Sequence, residues 1–156
     1  MKIGIIGATG KAGNLILKEA VDRGHEVTAI VRNASKVEDK SLNVLEKDVF
    51  DLTAQDAQAF DVIVNAFGAP AGKEHLHVEV GQALISILKD APQTRLIVIG
   101  GAGSLFTDET HSLRVVDSPG FPDAYKPTAT NQGKNLQDLQ ASSGIQWTFL
   151  SPASFF

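Results

Sequence analysis

The chain contains no cysteine, which excludes disulfides, thiolate metal sites and a cysteine nucleophile. It has one tyrosine, one tryptophan and one methionine. It also lacks a long hydrophobic run. The opening MKIGIIG is interrupted by Gly4 and is too short for a signal-peptide core, and no later stretch is long enough to cross a bilayer. A basic excess is missing too: 14 Lys and Arg stand against 18 Asp and Glu, a net charge of −4. That balance argues against a nucleic-acid backbone as the main partner, because phosphate binding needs a basic face. The expectation is a cytoplasmic protein with neither a membrane nor a nucleic acid as partner.

What is present suits a single folded domain over residues 1–156. The length is ordinary for one domain, and 43% of the residues are hydrophobic, enough for a sizeable core. Short apolar runs alternate with segments of helical spacing. Strands are expected at residues 2–6, 26–31, 42–46, 61–65, 95–99 and 146–150. Helices are expected at 11–23, at a short segment opened by a capping-box-like Thr53-Ala54-Gln55-Asp56, at 77–91, and at 128–143. Strands that are apolar throughout, each separated by a helix, indicate a parallel sheet covered on both faces. The predicted fold is α/β: a doubly wound parallel sheet, or Rossmann fold, of order 3-2-1-4-5-6. The long irregular stretch 100–127 reads as a lid or a binding surface.

Gly7-Ala8-Thr9-Gly10-Lys11-Ala12-Gly13 lies between the first strand and the first helix. This geometry presents free backbone N–H groups, and the positive end of a helix, to an anion. Gly7 makes the tight turn, Gly10 lets a pyrophosphate approach the backbone, and Gly13 lets the helix pack close to the strand. The spacing is G-x-x-G-x-x-G rather than G-x-G-x-x-G, but its strand-loop-helix context is the one a dinucleotide needs.

The second strand ends Ile30-Val31-Arg32-Asn33. A site for NAD(H) wants a carboxylate there for the ribose 2′-hydroxyl. Arg32 instead suits a 2′-phosphate, with Ser35 and Lys36 as helpers, so NADP(H) is favoured over NAD(H). The alternative is a solvated surface arginine. Asp48 and Val49, in KDVFD after the third strand, are placed to pass an adenine. Asp48 either accepts from its exocyclic amine or caps the turn ahead of Leu52. Ala66, Phe67 and Gly68 follow the fourth strand, and small residues there admit a nicotinamide ribose. Gly4 reads as structural, a small residue under the helix.

GATGKAG, IVRNASK, KDVFD, NAFG, GGAGSL and WTFLSPASFF together resemble the atypical short-chain dehydrogenase/reductases, nearest the NmrA-like and NADH-flavin-reductase branch, and more distantly biliverdin-IXβ/flavin reductase. The resemblance covers nearly the whole chain. It implies an NAD(P)-binding fold and a reductase activity. Catalytic members of the wider superfamily carry a Ser after strand five and Tyr-x-x-x-Lys on the next helix. Here strand five is followed by Gly100-Gly101, the first hydroxyl is Ser104, and Ala129 stands four residues after Tyr125. Counting back from SGIQWT places Ala129 and Gly133 at the expected Tyr and Lys positions. Ser104 and Tyr125 remain the candidates for a catalytic role. Tyr125-Lys126 either reaches the site from the loop or packs on the helix.

A ketone that accepts hydride becomes an alkoxide and wants a proton donor beside it. A flavin, a quinone or a linear tetrapyrrole spreads the charge, and solvent supplies the proton later. The expected function is therefore an NAD(P)H-binding oxidoreductase acting on such a conjugated acceptor without a Ser-Tyr-Lys triad. The alternative is a non-catalytic NADP(H)-binding redox sensor or protein-interaction module. A nucleotide-sugar epimerase fits poorly, lacking both the Tyr-Lys pair and a substrate domain.

No metal site is expected. His75 and His77 are two residues apart and point to different faces of a helix, so they read as part of a loop over the site. His111, near Asp108 and Glu109, belongs to the lid. The terminal Phe155-Phe156 suggests either a missing C-terminal substrate portion or a covering partner, which includes a second copy of the chain.

Overall fold

The computed structural model describes residues 1–153; the expectation built on Phe155 and Phe156 lies outside them. Six strands form one parallel sheet: β1 Lys2–Ile6, β2 Glu26–Val31, β3 Asn43–Glu46, β4 Val62–Asn65, β5 Arg95–Ile99 and β6 Gln146–Leu150, in the order β3-β2-β1-β4-β5-β6. This is the predicted Rossmann order. The helices are α1 Lys11–Asp22, α2 Ala54–Gln58, α3 Leu76–Lys89 and α4 Lys126–Ala141. Among the described residues no helix is long and apolar enough to cross a membrane.

The continuous apolar runs follow from two cores, one on each face of the sheet. Ile3 and Ile5 of β1 and Val27, Ala29 and Val31 of β2 pack with Leu17 and Ala20 of α1. Ile6, Ile30, Ile63, Leu96 and Val98 point the other way, onto Val80, Leu84 and Leu88 of α3 and Leu139 of α4. Side chains alternate across a strand, so a strand buried on both faces has no polar position to spare. β3 is an edge strand with no fully buried residue, in line with its weaker apolar pattern. Gly4 shares the face of Ile6, and a Cβ there would meet Ile30 Cδ1 at 2.9 Å and Phe60 Cδ2 at 3.1 Å. It therefore lies beneath the end of α2, on the face opposite α1.

Two local devices fix the α2 corner. Thr53 and Asp56 form a reciprocal capping box, as the sequence TAQD suggests. The buried Thr94 hydroxyl sits 2.9 Å from the carbonyl oxygens of both Ala57 and Phe60, tying the end of α2 to the start of β5. Residues 100–127 hold short 3-10 turns at Ala102–Ser104, Val115–Asp117 and Asp123–Tyr125, with an antiparallel bridge between Phe106 and Arg114. His111, at φ 54°, stacks on Phe106 with ring centroids 4.6 Å apart. The Asp108 carboxylate accepts from Thr110 Oγ1 and Ser112 Oγ, which holds its pKa down at about 2. Among the described residues no group of three candidate ligands is placed to hold a metal ion.

Candidate functional site

A cleft of about 530 Å³ runs along the carboxyl ends of the strands, where open α/β sheets place their ligands. Its floor is the glycine loop. Gly7 has φ 74°, and a Cβ there would lie 2.5 Å from the Ala66 carbonyl oxygen. Only glycine meets both conditions. A Cβ on Gly13 would fall 2.1 Å from the carbonyl oxygen of Gly7, so Gly13 is what lets α1 approach the end of β1. Gly10, the N-cap of α1, offers no side-chain cap, and the first turn of α1 has no acidic residue. A helix start without a capping side chain or an acidic residue is the arrangement that receives an anion.

Gly7, Thr9, Gly10, Lys11, Ala12, Arg32, Asp48, Val49, Ala66, Phe67 and Gly68 all line this cleft. Gly13 stands behind its wall and acts through packing. The two halves of the cleft differ in charge. On the β1-β2-β3 side lie Lys11, Arg32, Lys36 and Lys47 with the single carboxylate Asp48, a basic basin on a chain of net charge −4. The far side is walled by Ala66, Phe67, Gly68, Ala69 and Leu76 after β4, by His77 of α3, by Ile99 and Gly100 of β5, and by Thr128 and Gln132 of α4. Among the described residues no fixed charge lies on that side.

Local structure explains the individual positions. Asn33 accepts from the Ser35 backbone N–H at 2.9 Å and from its hydroxyl at 2.6 Å, so Asn33 caps the turn after β2, and Ser35 does not line the cleft. Two carboxylates that close the turns after β2 and β3 accept from backbone N–H groups. Glu46 accepts from the Ala34 backbone N–H at 2.7 Å, and Asp48 accepts from that of Phe50 at 3.1 Å. Asp48 thus does cap its turn while facing the cleft. Lys47 is paired with Asp56 at 2.7 Å.

The structure does not bring the two catalytic candidates into the cleft wall. The Ser104 hydroxyl is 2.7 Å from both the Gly101 carbonyl oxygen and the Ser151 hydroxyl. Tyr125 is 68% exposed at the start of α4. Ala129 is buried, and a Cβ on Gly103 would touch its methyl at 2.8 Å.

Sequence reasoning missed the α3 and α4 contributions. His77 is only 8% exposed, and its ring meets the Phe67 ring edge-on with centroids 5.7 Å apart. Burial pushes the imidazole below its ordinary value, against a weaker upward pull from Glu74. His75 and His77 point apart as their spacing predicts: His75 faces out toward Glu79 at 3.8 Å, and His77 faces in. A histidine on the inward face of a helix starting beside NAFG was the available signal. Thr128 and Gln132 left none, because they belong to a long-range meeting of α4 with β5.

The chain is similar over its whole length to known proteins. A sequence profile described as NAD(P)H-binding matches residues 7–156. The uncharacterized Bacillus subtilis protein YwnB is 69% identical over 156 residues, spanning all of this chain and 73% of YwnB. A Streptococcus pneumoniae structure, provisionally assigned as an NADH-flavin reductase, superposes with a TM-score of 0.92 at 42% identity, covering 99% of this chain and 72% of that one. A Listeria monocytogenes structure shares 43% identity at a TM-score of 0.79, covering 100% of this chain and 81% of that one. The glycine cradle, the uncapped helix end and the basic basin fit the nucleotide that the profile describes, and the chain belongs to the NAD(P)H-binding family.

Proposed function

We propose that this chain is an NAD(P)H-dependent reductase of a planar conjugated acceptor, a flavin or a quinone, working without a Ser-Tyr-Lys triad. The observation that carries the reading is the division of the cleft. Its basic half suits the phosphates, and among the described residues its other half is uncharged and lined by neither tyrosine nor lysine. Bound there, the dinucleotide supplies a two-electron reducing equivalent. The Gly7–Gly13 loop and the α1 N-terminus hold the pyrophosphate. Arg32, with Lys36 beside it, holds a 2′-phosphate by charge-assisted hydrogen bonds, so NADP(H) is the preferred cofactor. Phe67, Gly68, Ile99 and Gly100 shape a neutral slot that positions two flat rings against each other. A delocalised acceptor spreads its new charge and takes its proton from solvent, so the wall needs no acid.

The provisional assignment of the pneumococcal relative supports the flavin. The test is oxidation of NADPH, followed at the nicotinamide absorbance band, with FMN and then menadione as acceptor. Turnover with either is expected. Measurable NADPH binding without turnover on any flavin or quinone would leave a nucleotide sensor instead.

A further inference from the structure

We propose that His77 is the polar contact for the acceptor: a neutral imidazole whose N–H donates a hydrogen bond to the acceptor atom that gains negative charge. This rests on the reductase reading above. Several observations place the group. His77 is 8% exposed and lines the uncharged half of the cleft, where it is the only titratable side chain among the described residues. Neither ring nitrogen has a hydrogen-bond partner among the described residues. Asn135 Oδ1 is the one side-chain atom sealed away without a partner among the described residues; the His77 ring instead opens onto the cleft, where a ligand atom can take up its N–H.

Its orientation is fixed from two sides. Phe67 meets the ring edge-on. One turn further along α3, Gly81 packs so closely on α4 that a Cβ there would strike the Asn135 side-chain oxygen. Residues four apart share a helix face, so that packing aims His77 at the α4 wall, which Thr128 and Gln132 carry into the cleft.

Charge considerations agree. The groups lining the cleft from β4, β5 and α4 are uncharged. Glu74 is the charged neighbour on the approach to α3, and its carboxylate is occupied by the Gly72 backbone N–H at 2.9 Å. Burial outweighs the pull of Glu74, so the imidazole is uncharged at neutral pH. It then acts as a fixed dipole rather than as an acid. The balance is simple. The acceptor takes two electrons and one hydrogen from the reduced dinucleotide and a proton from solvent, and His77 keeps its own proton throughout.

The test measures binding as well as turnover. FMN is titrated into NADP-loaded protein and followed by quenching of flavin fluorescence. His77→Leu is expected to weaken FMN binding about 10-fold. His77→Gln, which keeps a neutral N–H donor, should stay within about 2-fold of wild type. NADPH affinity should hold in both. In the unaltered protein, the His77 ring nitrogens should shift by NMR when FMN joins the NADP complex, a readout independent of how the variants fold. FMN binding with no His77 response, or a Leu variant equal to wild type, overturns the role of His77 alone. A Gln variant as weak as Leu overturns the neutral-donor role. An unaltered protein that binds NADPH but neither FMN nor menadione overturns the acceptor reading and this inference together.

Discussion

The two halves of the cleft are built by different means. The phosphate half comes from three short local segments: one loop, Gly7 to Gly13, and the turns that follow β2 and β3. Its side chains are held by neighbours a few residues away, as with Asn33 and Ser35 or Asp48 and Phe50. The reacting half is assembled at long range, from the ends of β4 and β5 and from α3 and α4. On the proposed reading the first half, which carries charge, binds a constant group. The second, uncharged among the described residues, decides what reacts. Such a division lets a family keep its cofactor while changing its acceptor.

The sharpest way to break the phosphate half is Gly13→Ala. Helix propensity alone predicts stabilisation of about 1 kcal/mol. The added Cβ, however, would lie 2.1 Å from a backbone oxygen, that of Gly7, and backbone cannot swing aside. A net loss of about 3 kcal/mol is expected, together with loss of NADPH binding, measured by thermal unfolding and by nicotinamide fluorescence. A stabilised Gly13→Ala protein would mean that the loop is not the rigid cradle described.

Arg32→Asp is next in size. If Arg32 selects NADP(H) as proposed, two charge-assisted bonds to a 2′-phosphate are lost, and a carboxylate suited to a ribose hydroxyl appears. The NADPH/NADH affinity ratio should fall about 100-fold, with unfolding unchanged because Arg32 is exposed. An unaltered ratio assigns the selection to another residue.

The reacting half is tested by Gly68→Ala. Nothing lies within 4 Å of the added Cβ, so stability should change by less than about 0.5 kcal/mol. Yet the methyl enters the cleft wall. NADPH affinity should drop several-fold while the affinity for 2′,5′-ADP, which lacks the nicotinamide, stays the same. Equal losses for both ligands would erase the distinction between the halves.

The same division governs how much of the molecule is legible in its sequence. Strand order, the glycine loop, Arg32 and the Thr53 capping box are recorded in local patterns: period, spacing and cap residues. β1, β2, β5 and β6 agree with the expected bounds; in β1 and β2 this is because apolar runs buried on both faces end abruptly. α3 starts one residue earlier and α4 two residues earlier than expected, since their first turns carry polar residues that face a cleft or solvent. His77 is legible as facing away from His75, but its burial depends on Phe67 and α4, which no local pattern encodes. The turns within 100–127 escape the sequence for the same reason: bridges such as Phe106 to Arg114 leave no periodicity.

The smallest expected effect lies behind the phosphate half, at Lys47 and Asp56. The Lys47 ammonium, 2.7 Å away, holds the Asp56 carboxyl below its ordinary range, with help from Thr53 and against partial desolvation. A carboxylate whose folded pKa is depressed adds stability above its unfolded value of about 3.9, and loses it as pH falls through the folded value. The side chains are 34% and 19% exposed, so solvent screens the pair and about 1 kcal/mol is a fair ceiling. Asp56→Asn keeps an oxygen for the cap but removes the charge. Urea unfolding should show the wild type ahead by about 1 kcal/mol at pH 6, with the gap closing below pH 4. If the gap instead persists at low pH, the capping geometry rather than the ion pair holds this corner. The α2 turn would then support Lys47, and with it the basic wall of the cleft, by shape alone.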